Sequence, residues 1–111
     1  MGFRFSLGTG AALTDTTLRL IEHLFAPDQH DAVGTVLTEE CGTNLPFCET
    51  RDAVELERVR FAVLMLSDGD MNKLRAMVNQ AQVDWRDVLV WAGFGYSLTA
   101  HERWAQAVLE H

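Results

Sequence analysis

The chain has 111 residues, 48% of them hydrophobic and 23% charged; this suits one domain with a sizeable core and fits neither an intrinsically disordered nor a collagen-like chain. Nine Lys and Arg against sixteen Asp and Glu leave a formal charge of -7, which argues against a nucleic-acid binder, because such a protein needs a basic face to displace counterions from phosphates. The excess is local: residues 1–26 and 58–111 each sum to zero, and residues 27–57 carry all of it, with Arg51 against Asp28, Asp31, Glu39, Glu40, Glu49, Asp52, Glu55 and Glu57.

Phe3, Phe5 and Leu7 alternate with Arg4 and Ser6, the period of a half-buried strand. A lone strand has no partner within the chain, so residues 1–13 are expected to lie across the helices as an extended arm, with pairing to the same segment of a second subunit as the alternative. Gly8-Thr9-Gly10 lacks both the third glycine of a dinucleotide fingerprint and the Gly-Lys-Ser/Thr of a phosphate loop, and reads as a hinge. From there the apolar spacing is helical nearly throughout. Leu18, Ile21, Leu24 and Phe25 predict a helix over 15–25, with Thr14 as cap and Pro27 as stop. Ala32, Val33, Val36 and Leu37 predict a second over 29–40, capped by Asp28 and ended by Cys41-Gly42.

Residues 42–51 form the longest loop, with Leu45 and Phe47 expected at its surface. The strongest helix follows over 52–67. Asp52 and Glu55 form a capping box, Glu55–Arg58 and Glu57–Arg60 have i,i+3 ion-pair spacing, and Phe61 to Leu66 are apolar all round and expected to be buried. Asp68-Gly69-Asp70 is a break, with Gly69 suited to a left-handed position and Asp70 to the next cap. A helix over 71–82 buries Met71, Leu74, Met77, Val78 and Ala81; Val83-Asp84 breaks it; a short helix runs to Ala92; Gly93 and Gly95 end that. Thr99 and Glu102 form a capping box for a last helix over 100–108. The fold class is therefore all-α, a compact bundle of about six short helices with an extended N-terminal arm, in one domain over residues 1–111.

The chemistry-bearing residues form no recognisable catalytic set. The histidines have no spacing that puts two rings on one metal, and are expected at the surface. No serine sits in a nucleophile elbow. Cys41 and Cys48 lie among acids, which raise a thiol pKa, the wrong direction for a nucleophile. They read as two reduced, partly buried thiols of a cytosolic protein, with a local disulfide as the alternative. Leu109-Glu110-His111 resembles the start of a polyhistidine tag behind a cloning junction, so His111 is given no functional weight. No apolar run approaches the roughly 18 residues of a membrane span. No cofactor, metal, membrane or catalytic activity is expected.

Two constellations remain. The acidic third reads either as a solvated face or as a surface that steers a basic partner protein, with Glu39, Glu40, Leu45, Phe47, Glu49 and Asp52 as the candidate contact residues. The segment 84–94, D-W-R-D-V-L-V-W-A-G-F, reads either as a core helix or as a helix with one side at a subunit or partner interface, a homodimer included. Trp85, Arg86, Trp91 and Tyr96 are then the anchors, since Trp, Tyr and Arg dominate interface energetics. The expected function is an acidic cytoplasmic protein-interaction module. The alternative is a small-molecule or metal-binding protein with a pocket between helices near Trp85, Trp91 and His23.

Overall fold

The computed structural model describes residues 12–42, 45 and 53–110. The described residues are helical with no strand among them: α1 spans Asp15–Leu24, a 3-10 turn Pro27–Gln29, α2 His30–Glu40, α3 Ala53–Ser67, α4 Met71–Ala92 and α5 Ala100–Leu109. The all-α expectation holds. The extended arm falls on residues that lie, apart from Ala12 and Leu13, outside the described ones.

Local signals start and stop most of these helices. The Thr14 hydroxyl oxygen accepts from the Thr17 N–H at 3.1 Å and caps α1. Asp70 caps α4, accepting from the N–H groups of Asn72 at 2.7 Å and Lys73 at 3.1 Å. Gly93 ends α4 in the left-handed region at φ 84°, its N–H turned back to the last-turn carbonyls. The break at Val83-Asp84 is present as a kink: Asp84 has extended dihedrals, φ -157° and ψ 100°, inside α4. The short helix expected up to Ala92 is thus the second half of α4, set off from the first by this kink. Asp84 Oδ1 accepts from the Arg86 N–H at 3.1 Å and so starts the second half as a cap would.

Two expected caps do not form. Asp28 lies inside the 3-10 turn, and α2 begins without a side-chain cap. At α5, Thr99 makes no capping bond; Ser97 Oγ accepts from the N–H groups of Thr99 and Ala100, both at 3.2 Å, while the Thr99 hydroxyl accepts from Arg103 at 2.8 Å. Serine two residues upstream reaches the orphan donors better than the residue at the boundary.

The core is organised around α3. Seven consecutive residues, Arg58 to Leu64, are buried, so neighbours cover the helix on every side. Its main neighbour is α4, and α1 and α5 pack on it as well. Leu20, Leu37, Val59, Phe61, Leu64, Leu74 and Val78 are almost wholly inaccessible and belong to one apolar cluster. The all-round burial ends sooner than expected, since Met65 is exposed.

The two arginines of α3 depart from their expected roles. Arg58 does pair with Glu55, donating to both carboxylate oxygens at 3.0 and 3.1 Å. It is also buried, and its other terminal nitrogen donates to the Phe94 carbonyl at 2.6 Å and the Ser97 carbonyl at 3.4 Å. Arg60 does not pair with Glu57. It turns inward and donates to the carbonyls of Cys41 at 2.9 Å, Leu37 at 3.3 Å and Ala12 at 3.3 Å, while Glu57 accepts from the Thr14 hydroxyl at 2.8 Å. The reason is the end of α2, whose last carbonyls have no helical donor. Arg60 supplies donors to Leu37 and Cys41, and Gln82 Nε2 supplies one to Glu40 at 2.9 Å.

Candidate interaction surfaces

On the acidic third, α2 presents Asp31, Thr35, Thr38 and Glu39 at helical spacing. Together with Ala12, Leu13, Leu18, His30 and Gly34 they line an open groove of about 390 Å³ beside the start of α1. Asp31, Thr35, Glu39 and Leu18 are exposed. Among the described residues none engages Asp31 or Glu39, whereas His30 is tied by its Nε2 to the Phe25 carbonyl at 2.8 Å. The groove thus combines apolar side chains from one helix with unpaired carboxylates from the other. Glu40 is half-buried and points its carbonyl at Gln82.

Leu45 corrects the reading of the acidic loop as an apolar tip. It is only 3% exposed and joins the core cluster with Cys41. A turn tucks it in, the Leu45 N–H donating to the Gly42 carbonyl at 3.0 Å. Phe47, Cys48, Glu49 and Asp52, with the Asp52 capping box, lie outside the described residues.

The second surface is the corner between α4 and α5. Phe94 is buried and held by its carbonyl to Arg58 and by its N–H to the Leu89 carbonyl at 2.8 Å. Gly95 follows flat against Val90; a side chain there would approach Val90 Cγ2 to 3.2 Å. This anchoring turns the flanking residues outward: Tyr96 is 94% exposed, Leu98 69%, Trp91 53% and Val90 52%. Of the four anchors expected in this segment, Trp91 and Tyr96 are on this face. Trp85 is half-buried against the core, its indole Nε1 buried without a partner. Arg86 is exposed but folded back on Asp84, its Nε 3.0 Å from Oδ1. Those hydrogen bonds hold the Asp84 carboxyl below its ordinary pKa and the Arg86 guanidinium above its own.

His101 is the residue that the sequence reading misplaced most. It was expected at the surface and is fully buried in the first turn of α5. Its ring lies 5.4 Å from that of Phe61 and 6.2 Å from that of Phe94, and both of those pack on Trp104 at 6.1 Å. Neither imidazole nitrogen has a hydrogen-bond partner. Burial lowers its pKa from the ordinary value, against the smaller upward pulls of Glu102 and Glu57. Its position three residues before Trp104 and seven before Val108 puts it on the inward face of α5; the adjacent Glu102 and Arg103 mask that signal.

A second open groove of about 390 Å³ runs between α1, α3 and α5, with Arg19, Glu57, Glu102, Glu110 and Phe61 among its lining residues. Trp85, Trp91 and His23 line neither of these two grooves. His23 is exposed. Among the described residues no three His, Cys, Asp or Glu side chains come together to hold a metal, and no helix is long and apolar enough to cross a membrane. No protein-family model, no curated protein and no solved structure gives a match to the chain.

Proposed function

We propose that the chain is a non-catalytic, cytoplasmic protein-interaction module whose acidic third meets a basic partner protein, and that a cationic segment of that partner lies in the groove between α1 and α2. The observation that supports this is the pairing of unengaged carboxylates, Asp31 and Glu39, with exposed apolar Leu18 on the facing element. Lysine and arginine side chains match such a groove in both parts: an aliphatic stem for the leucines and a charged head for the rim. The charge of residues 27–57 adds long-range attraction, which speeds encounter and is screened by salt.

The test is an anisotropy titration with labelled Lys- and Arg-rich peptides carrying one leucine. Affinity should fall as salt rises, and the double variant Asp31→Lys, Glu39→Lys should weaken binding by tenfold or more. Binding that ignores both salt and the charge reversals would remove this reading.

The α4–α5 corner favours a second reading, self-association or docking through Trp91 and Tyr96. Exposed aromatic residues beside aliphatic ones are the composition of interface centres. Light scattering should then give a mass above the monomer at high concentration, restored to the monomer by Trp91→Ala with Tyr96→Ala. Because both side chains are largely exposed, the double variant should change unfolding stability by less than about 1 kcal/mol. A monomer mass for the unaltered chain at high concentration ends the self-association reading.

A further inference from the structure

We propose that His101 makes the α4–α5 corner an acid-sensitive latch: on gaining a proton its imidazole leaves the aromatic cluster and releases Phe94 and the 93–99 segment from α3. The geometry carries this. The neutral ring sits among Phe61, Phe94 and Trp104 with no acceptor for any N–H. One unpaired donor is a tolerable cost there; two donors and a full charge are not. Attraction between an imidazolium and the rings offsets part of that cost but is smaller than the desolvation of a buried charge.

The charged groups around the ring set the direction of the movement. Glu55, Glu57 and Arg58 face it from α3, Glu102 adjoins it on α5, and Arg19 of α1 lines the same groove as Glu57 and Glu102. Arg58 is the inner one of these, bonded to the Phe94 and Ser97 carbonyls, so a cation at His101 is repelled from the side where the segment is anchored. Glu102 is exposed, and an imidazolium gains both water and a carboxylate by moving toward it. Phe94 packs directly on the histidine ring and cannot keep its place when that ring leaves. The linkage has one sign. A histidine whose pKa is lowered on folding adds a constant stability above its unfolded value near 6.5, and that contribution is lost as the pH falls below it. The latch is a property of this fold and needs no partner.

Amide hydrogen exchange of the full chain at pH 7.5 and 5.0, corrected for intrinsic rates, tests it. Protection of amides 93–101 should fall at least tenfold at pH 5.0 while that of α2 changes less than threefold. His101→Phe, or His101→Leu if the first does not fold, should abolish the difference. In the unaltered chain the His101 ring proton should titrate below its ordinary pKa by NMR, and its contacts to Phe94 should vanish with protonation. Equal protection at the two pH values, an equal fall in α2, the same fall in the variants, or a protonated ring that keeps its Phe94 contacts would each overturn the proposal.

Discussion

Replacing Arg60 by methionine should lower the unfolding free energy by about 3 kcal/mol. The arginine is buried inside α3 and donates to three main-chain carbonyls, those of Ala12, Leu37 and Cys41. Methionine keeps most of the aliphatic stem, so packing is largely retained. The carbonyls are not: each buried acceptor left without a donor costs about 1–3 kcal/mol. A cation at the end of α2 also opposes the partial negative charge of its last turn, worth a further few tenths of a kcal/mol or more when partly buried. Against this stands the relief of the arginine's own desolvation, which is why the sum stays well under the total of the parts. Arg60→Lys should recover less than half, since one ammonium on a flexible stem cannot present the guanidinium fork to three separate carbonyls. Urea denaturation followed by far-UV circular dichroism measures both. A loss below about 1 kcal/mol for the methionine variant would mean that water replaces the guanidinium and that the end of α2 does not depend on it.

The second large effect is at Gly69. It stands between α3 and α4 with φ 77°, and a β-carbon built on it would lie 2.7 Å from the Leu24 carbonyl oxygen. Alanine therefore meets two costs. The left-handed backbone is unfavourable for it by about 1–2 kcal/mol, and the obstacle is main chain at the end of α1, which cannot swing aside as a side chain can. Together they should reduce stability by about 2–4 kcal/mol. Gly93 separates the two terms. It has φ 84° but no atom within 4 Å of the same position, so Gly93→Ala should cost only the conformational part, about 1 kcal/mol. Thermal melts of the two variants under one buffer decide the point. Equal losses would show that the contact with Leu24 is not resisted.

These two sites also mark what a sequence reader could and could not see. Gly69 and Gly93, the caps at Thr14 and Asp70, and the break at Asp84 are local: the residue type and the few positions around it determine the geometry. The whole helical outline was legible for that reason. Arg58, Arg60 and His101 were not. Arg58 and Arg60 sit at ion-pair spacing from Glu55 and Glu57 on the same helix, and that local option looked sufficient. Their main-chain acceptors lie 19 to 48 residues away, at the ends of other elements, where sequence spacing says nothing. His101 and Leu45 failed similarly. Neighbouring polar residues argue for exposure, but Phe61 and Phe94 close over the one and the turn from Gly42 draws in the other. The candidate surfaces were half legible: the charge of residues 27–57 pointed to α2, and the tryptophans pointed to α4. Which of their side chains stand free depends on the packing of α1 and of the 93–99 segment.

The way α2 ends has a bearing on the order in which the molecule assembles. Its carbonyls are satisfied by Arg60 from α3 and Gln82 from α4, and its start has no side-chain cap. An isolated helix of eleven residues with a glycine at position 34 is shorter than the roughly 12–15 residues at which helices become even marginal in water. The α3–α4 pair is different, being sequential, joined by three residues and sharing the most extensive contact in the protein. That pair is the nucleus such a topology favours, with α2 condensing afterward onto donors already in position. The face that carries the unpaired carboxylates is then the last to form on the way in and the first to be given up on the way out.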